Sequence, residues 1–149
     1  CASVSASAGS LVTKSLEITG VVQEEVGTSP RCPSTIGGTI VGHGDSPLVG
    51  KVVFIGSDCI TPSGVLYNFS DGRIIIMTKT GEQIYANYSG QFVPTGEGTK
   101  FVFNNASFQI TGGTGRYFKA SGGGGFTGGE DMATGAGTIK LTGRITYKQ

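Results

Sequence analysis

Residues 108–147, FQITGGTGRYFKASGGGGFTGGEDMATGAGTIKLTGRITY, decide the fold. The stretch reads as strand, glycine turn, strand, acidic turn, strand. From Ala136 onward it alternates: Ile139, Leu141, Ile145 and Tyr147 share one parity, while Thr138, Lys140, Thr142, Arg144 and Thr146 take the other. A period of two with one apolar and one polar face is a half-buried β-strand.

Working outward from it, the same grammar recurs. Leu11 to Val26 is a strand with Leu16, Ile18 and Val22 in phase, and the prolines of GTSPRCPS (27–34) break it. Residues 36–44, IGGTIVGHG, form a glycine-softened strand, and Asp45-Ser46-Pro47 a turn. Leu48 to Ile55 is apolar on both faces. Cys59 to Gly64 reads as a loop and Val65 to Phe69 as a short strand. Ser70-Asp71-Gly72-Arg73 reads as an Asp-Gly hairpin turn leading into Ile74–Met77. Gln83 to Gly90 carries Ile84, Ala86 and Tyr88 together, and Pro94 to Gly98 is a loop. In Lys100 to Thr111 the apolar parity switches between Phe101/Phe103 and Phe108/Ile110, which predicts a bulge at Asn104-Asn105. About eight short strands at even spacing, with no helical period, predict an all-β domain: an eight-stranded antiparallel barrel over 11–149. Mid-strand glycines such as Gly50, Gly143 and Gly122 to Gly125 suit its sharp bends.

Composition narrows the function classes. The chain has 149 residues, 27 of them glycine, with 14% charged residues and a net charge of +1. That size builds one domain with a real core, and that charge offers no nucleic-acid footprint. No apolar run is long enough for a membrane helix. Cys1, Cys32 and Cys59 are an odd set. The economical pairing is Cys32 with Cys59, worth roughly 3 kcal/mol by the loop-entropy account; two buried thiols are the other reading. Cys1 is then lipidated, bonded to another chain, or free. A first residue that is Cys rather than Met agrees with lipoprotein processing, with signal-peptide cleavage, or with a start imposed by preparation. Residues 1–10 form a small-residue tail in which Ala2, Val4, Ala6 and Ala8 alternate with serines. It is expected to serve as a donor strand on another chain or as an anchor linker.

The segments ITGGTGRYFKASGGGGFTG and D-x-x-TGAGTIKLTGRITY, together with QIYANYSG (83–90), resemble the dirigent and allene-oxide-cyclase superfamily of barrels, especially its bacterial secreted members. The resemblance covers Gln83 to Tyr147. Its turn, Gly112, Gly113, Gly115 and Arg116, needs glycine for positive φ, after which Arg116 and Tyr117 are expected to re-enter the sheet. It is not a phosphate loop, since it opens no helix and lacks the Lys-Ser/Thr ending. The resemblance implies polar groups inside an apolar cavity, for guided radical coupling or epoxide closure. The N-terminal acidic motifs of a dirigent site are absent from this sequence.

Read residue by residue, the sequence offers no catalytic constellation, no cofactor motif and no metal spacing. It shows no paired carboxylates apart from Glu130-Asp131, placed in a solvated turn. His43 reads as a surface or rim histidine; Tyr85, Tyr88 and Tyr117 as packing first and ligand contacts second. Enzyme activity is accordingly not the first expectation. Asn68, Asn87 and Asn105 each begin an N-x-S sequon and are glycosylation sites only in a host that glycosylates. Strands apolar on both faces point to an association surface. The first functional expectation is an extracellular, non-enzymatic barrel that assembles with copies of itself at the cell surface. The alternatives are a monomeric barrel or lipoprotein holding a small hydrophobic ligand and, behind it, a cyclase-like enzyme.

Overall fold

The computed structural model describes residues 9–149. Eight strands follow one another: β1 (Leu11–Thr28), β2 (Ile36–Ser46), β3 (Gly50–Ser63), β4 (Leu66–Thr78), β5 (Gln83–Pro94), β6 (Lys100–Gly113), β7 (Ser121–Asp131) and β8 (Ala136–Lys148). Each pairs antiparallel with the next, and β1 pairs with β8, so the sheet is a closed barrel. Closure gives every strand two neighbours and removes both sheet edges. Among the described residues the helical content is a single 3-10 turn, Gly115–Tyr117.

The alternation read from the sequence decides which side chains enter the lumen. Leu16, Ile18 and Val22 of β1, Val52 and Phe54 of β3, Ile84, Ala86 and Tyr88 of β5, and Leu141, Ile145 and Tyr147 of β8 are buried, with Ile139 half-buried against them. The register switch in β6 is real: its pairing slips between Val102 and Ser107, and Asn105 takes a left-handed φ of 48°. The four-glycine run of β7 lies against β8, where Gly124 faces Gly143. A Cβ on Gly124 would meet the Gly143 Cα at 2.6 Å, so side chains there would force the two strands apart.

Three turn assignments are corrected. Cys59 to Gly64 is not a loop: β3 runs unbroken to Ser63, and the true hairpin is Gly64-Val65. Ser70-Asp71-Gly72-Arg73 is not a hairpin but a bulge inside β4, where the pairing with β5 slips between Phe69 and Gly72 and Asp71 has a φ of 51°. Asp-Gly supplies the same left-handed geometry to a bulge as to a turn, which is why the dipeptide misleads. After Gly113, Arg116 and Tyr117 do not re-enter the sheet: they form the 3-10 turn, and the strand resumes at Ser121. Tyr117 plugs this end of the barrel instead, its ring 5.3 Å from that of Tyr147.

The Cys32–Cys59 disulfide is present, with Cα atoms 5.4 Å apart. It ties the β1–β2 loop to β3, and Arg31 of the same loop adds an ion pair with Asp71 of β4 at 2.7 Å. Cys1 and the tail positions Ala2, Val4, Ala6 and Ala8 lie outside the described residues. Of the tail, Gly9 and Ser10 are described and exposed, and the Ser10 carbonyl accepts from the Gln149 amide at 3.1 Å.

Replacing both Cys32 and Cys59 by Ser should remove about 3 kcal/mol of stability. For a barrel of this size the melting temperature should then fall by roughly 6–12 °C. A calorimetric scan of the double variant against the oxidised chain measures it.

Candidate functional site

The two ends of the lumen differ. The end near the 3-10 turn is filled by Leu16, Ile18, Ile84, Ile110, Ile145, Tyr117 and Tyr147, all buried. At the other end three carboxylic acids point inward from three strands: Glu24 of β1, Asp58 of β3 and Glu130 of β7, at 5%, 2% and 4% exposure. Each sits there because it keeps the phase of the apolar residues before it. Glu24 continues Leu16, Ile18 and Val22; Asp58 continues Val52 and Phe54; Glu130 continues Phe126. Between the first two stands Gly38 of β2. A Cβ on it would lie 2.5 Å from Glu24 Oε2 and 2.9 Å from Asp58 Oδ1, so the glycine is the space the two acids occupy.

One of these oxygens is satisfied by a side chain. The Tyr88 hydroxyl donates to Asp58 Oδ2 at 2.7 Å. Glu24 and Glu130 lie against each other, so a proton held by one hydrogen-bonds the other; apart from that shared proton, Glu24 Oε2, Asp58 Oδ1 and both oxygens of Glu130 are buried without a hydrogen-bond partner among the described residues. An ionised carboxylate in such a place is expensive, and the group responds by holding its proton. Burial pushes the Asp58 carboxyl up to about 6, opposed by the Tyr88 hydrogen bond and by the Arg31 charge. Burial raises Glu130 to about 7, opposed by a hydrogen bond from the Glu24 carboxyl and helped by the charge of Asp58. Glu24 rises to about 9, first through burial and then through the charges of Glu130 and Asp58. Burial, then the Asp58 charge, push the Tyr88 phenol far above its ordinary value, so it remains a donor.

An aromatic wall stands behind the acids. Phe69, Tyr88, Phe92, Phe103 and Phe126 pack ring to ring, with centroids 4.8 to 6.3 Å apart. They enclose, with Phe54, Phe108, Ile74 and Leu141, a cavity of about 40 Å³ that Asp58 and Glu130 also line. That is room for a few water-sized groups. The β5–β6 and β7–β8 loops close over this end, joined by Met132 N–H to the Thr99 carbonyl at 2.9 Å and by a Thr99–Asp131 side-chain hydrogen bond.

Glu130 therefore corrects the sequence reading: it is not in a solvated turn but buried near the end of β7, and its neighbour Asp131, the last residue of that strand, faces outward and accepts from the Ala133 amide of the following turn. The acids that the sequence reading missed are far apart along the chain, and pairing across the barrel brings them together. The signal that would have found them is in the sequence: a carboxylate in phase with the buried residues of a strand points inward. Tyr88 is both packing and site, whereas Tyr85 lies on the outer side and donates to Gln83 at 2.8 Å, and Tyr117 seals the opposite end. His43 is exposed on β2. Among the sequons, Asn87 and Asn105 are exposed, and Asn68 accepts from Gln91 at 3.1 Å. Gly112, Gly113, Gly115 and Arg116 lie at the sealed end, where Glu82 accepts hydrogen bonds from the Arg116 amide and guanidinium. Among the described residues, no group of three or more His, Cys, Asp or Glu side chains is placed to hold a metal ion.

No protein-family model, no curated protein and no solved structure matches this chain.

The acids tie stability to pH. Their folded values lie above those of the unfolded chain, so the stability concerned is complete below the ordinary carboxylate range. It is lost as pH rises through about 6, 7 and 9 for Asp58, Glu130 and Glu24. The melting temperature should fall by about 5 °C or more between mildly acidic and mildly alkaline buffer. Glu24→Gln should flatten that slope and melt higher than the parent in alkaline buffer. Gly38→Ala, which drives a methyl group between Glu24 and Asp58, should instead lower the melting temperature at every pH.

Proposed function

We propose that this chain is a binding barrel for a small, largely apolar molecule held at the acidic end of its lumen. The observation that carries the reading is the cavity itself: an apolar, mostly aromatic wall whose lining residues include the buried acids Asp58 and Glu130. A packed core has no use for three buried acids. Ligand sites, by contrast, combine an apolar wall with a few converging polar groups. The dirigent and allene-oxide-cyclase resemblance agrees with this, since those barrels keep polar groups inside an apolar cavity. Proton transfer between the acid cluster and a bound molecule is the enzymatic form of the same reading; binding is what the observations favour first. The disulfide suits an oxidising, extracellular home, with a lipid on Cys1 and sugars on Asn68, Asn87 or Asn105 as additions the host would supply.

A second reading, self-association, rests on a separate observation. Val41, Ile55 and Ile75 form one outward row across β2, β3 and β4, which continues to Tyr85 on β5, and Val53 with Met77 forms another. Val41, Val53, Ile55, Ile75 and Met77 are all exposed. Such a flat aliphatic band is self-complementary, and a second copy of the barrel is the occupant we favour.

Native mass spectrometry of the full chain, purified without denaturation, tests the first reading. A bound small molecule is expected, and Leu141→Phe, which fills the cavity, should reduce its occupancy at least tenfold. A ligand-free lumen that also takes up no added fragment would sink it. Light scattering of the parent and of Ile55→Lys tests the second: the parent should be oligomeric and the variant monomeric, both with the same cavity behaviour.

A further inference from the structure

We infer that the first eight residues of β1 take residues 1–8 of a second copy of this chain as an added strand. This rests on the self-association reading and adds a backbone contact to the outward aliphatic band. The ring of strands is closed, yet β1 overshoots its neighbour: β1 has 18 residues and β2 has 11. Their pairing begins at Thr19 with Asp45, so Leu11–Ile18 pair with β8 alone. Beyond that pairing, no hydrogen bond from another described residue reaches the backbone of Leu11–Ile18. Neighbouring residues of a strand turn their N–H and C=O to opposite sides, so about half of this stretch offers donors and acceptors to an incoming strand.

The other overhang beside β2 is guarded, and the contrast is informative. β3 runs past β2 at Ile60–Ser63. There Pro62 has no N–H to offer, and the Ser34 hydroxyl donates to the Ile60 carbonyl at 2.5 Å. Leu11–Ile18 contain no proline. An unguarded row of backbone groups is a template for another strand.

The chain itself points to the occupant. Beyond the pairing of Leu11 with Lys148, the Gln149 amide donates to the Ser10 carbonyl at 3.1 Å, and Gly9 still lies against the Gln149 carbonyl. The chain therefore leaves the barrel in line with β1, heading away from its own free edge and toward a neighbour. Residues 1–8, CASVSASA, contain no charged side chain, proline or glycine, so every N–H after the first residue is available to a ladder. Eight residues at ~3.3 Å each span roughly 26 Å, enough to cover the open stretch. Charge argues against the simpler pairing of two β1 edges. Lys14 is exposed in the middle of the stretch, and antiparallel pairing of two copies would bring these lysines together. The uncharged tail meets no such opposition, and it covers Leu11, which is 68% exposed. The open edge also adjoins β2, whose Val41 opens the aliphatic band. A strand of small side chains buries too little to hold two barrels by itself, so the two contacts act together.

The test uses the full, oxidised chain at a series of concentrations, with analytical ultracentrifugation reading assembly and amide exchange reading residues 11–18. Val4→Pro combined with Ser5→Pro is the breaking variant. Neighbouring N–H groups point to opposite sides, so one of the two prolines removes a ladder donor whatever the register. The variant should associate at least tenfold more weakly, with the melting temperature of the barrel unchanged. The exchange protection that residues 11–18 gain on association of the parent should vanish in it. Val4→Ile combined with Ser5→Thr keeps both donors and should assemble as the parent does. A proline variant that associates as tightly as the parent, or an assembly in which residues 11–18 gain no protection, overturns the strand contact and leaves the aliphatic band standing. A parent that stays monomeric at every concentration removes both.

Discussion

Everything in this barrel follows from the pairing of β1 with β8. Once Leu11–Gln23 zips onto Ala136–Lys148, each strand has a fixed inside and a fixed outside. With a side-chain period of two, a one-residue slip would carry every inward residue outward. Leu16, Ile18 and Ile145 are almost completely buried on that seam and hold the register where the ring closes. The same constraint that buries them buries Glu24 at 5% exposure, because it lies on their side of the strand. The acid cluster is thus not a loop feature added to a scaffold. It is built into the phase of three strands, and moving it would mean moving the core.

The fold was legible because its signals are local. Alternation in Ala136–Tyr147, the phase of Leu16, Ile18 and Val22, and the parity switch around Asn104-Asn105 each state a strand face without reference to the rest of the chain. The disulfide was legible because two cysteines in one folded unit have few partners. What misled were signals shared by two geometries. Asp71-Gly72 supplies a left-handed residue to a bulge as readily as to a hairpin, and Pro62 with Gly64 looks like a broken loop although β3 continues to Ser63. Pro62 pairs with Tyr67 near the strand tip, where a missing donor costs little.

The site was hidden for a different reason. Glu24, Asp58 and Glu130 meet only when the sheet has closed, so no spacing along the chain describes them. Each was still marked by its phase. An inward carboxylate in an otherwise apolar register violates the local rule, and such violations gather where a protein does something other than hold itself together. Glu130 was misplaced because it adjoins Asp131, and two adjacent acids suggest a turn. In a strand, adjacent residues face opposite ways, and the pair divides into one buried and one half-exposed acid.

The lumen also has a polarity along its axis. Tyr117 and Tyr147 cork one end with tilted, touching rings, and the 3-10 turn and Glu82–Arg116 pair hold the cork in place. At the opposite end the inward side chains are the three acids and the aromatic cluster, a different set from the seam residues Leu16, Ile18 and Ile145. Under the proposed lumenal binding, closure of the ring and recognition fall to separate halves of one tube. The same division makes the molecule a vessel whose contents can be redesigned from one rim without recasting its base.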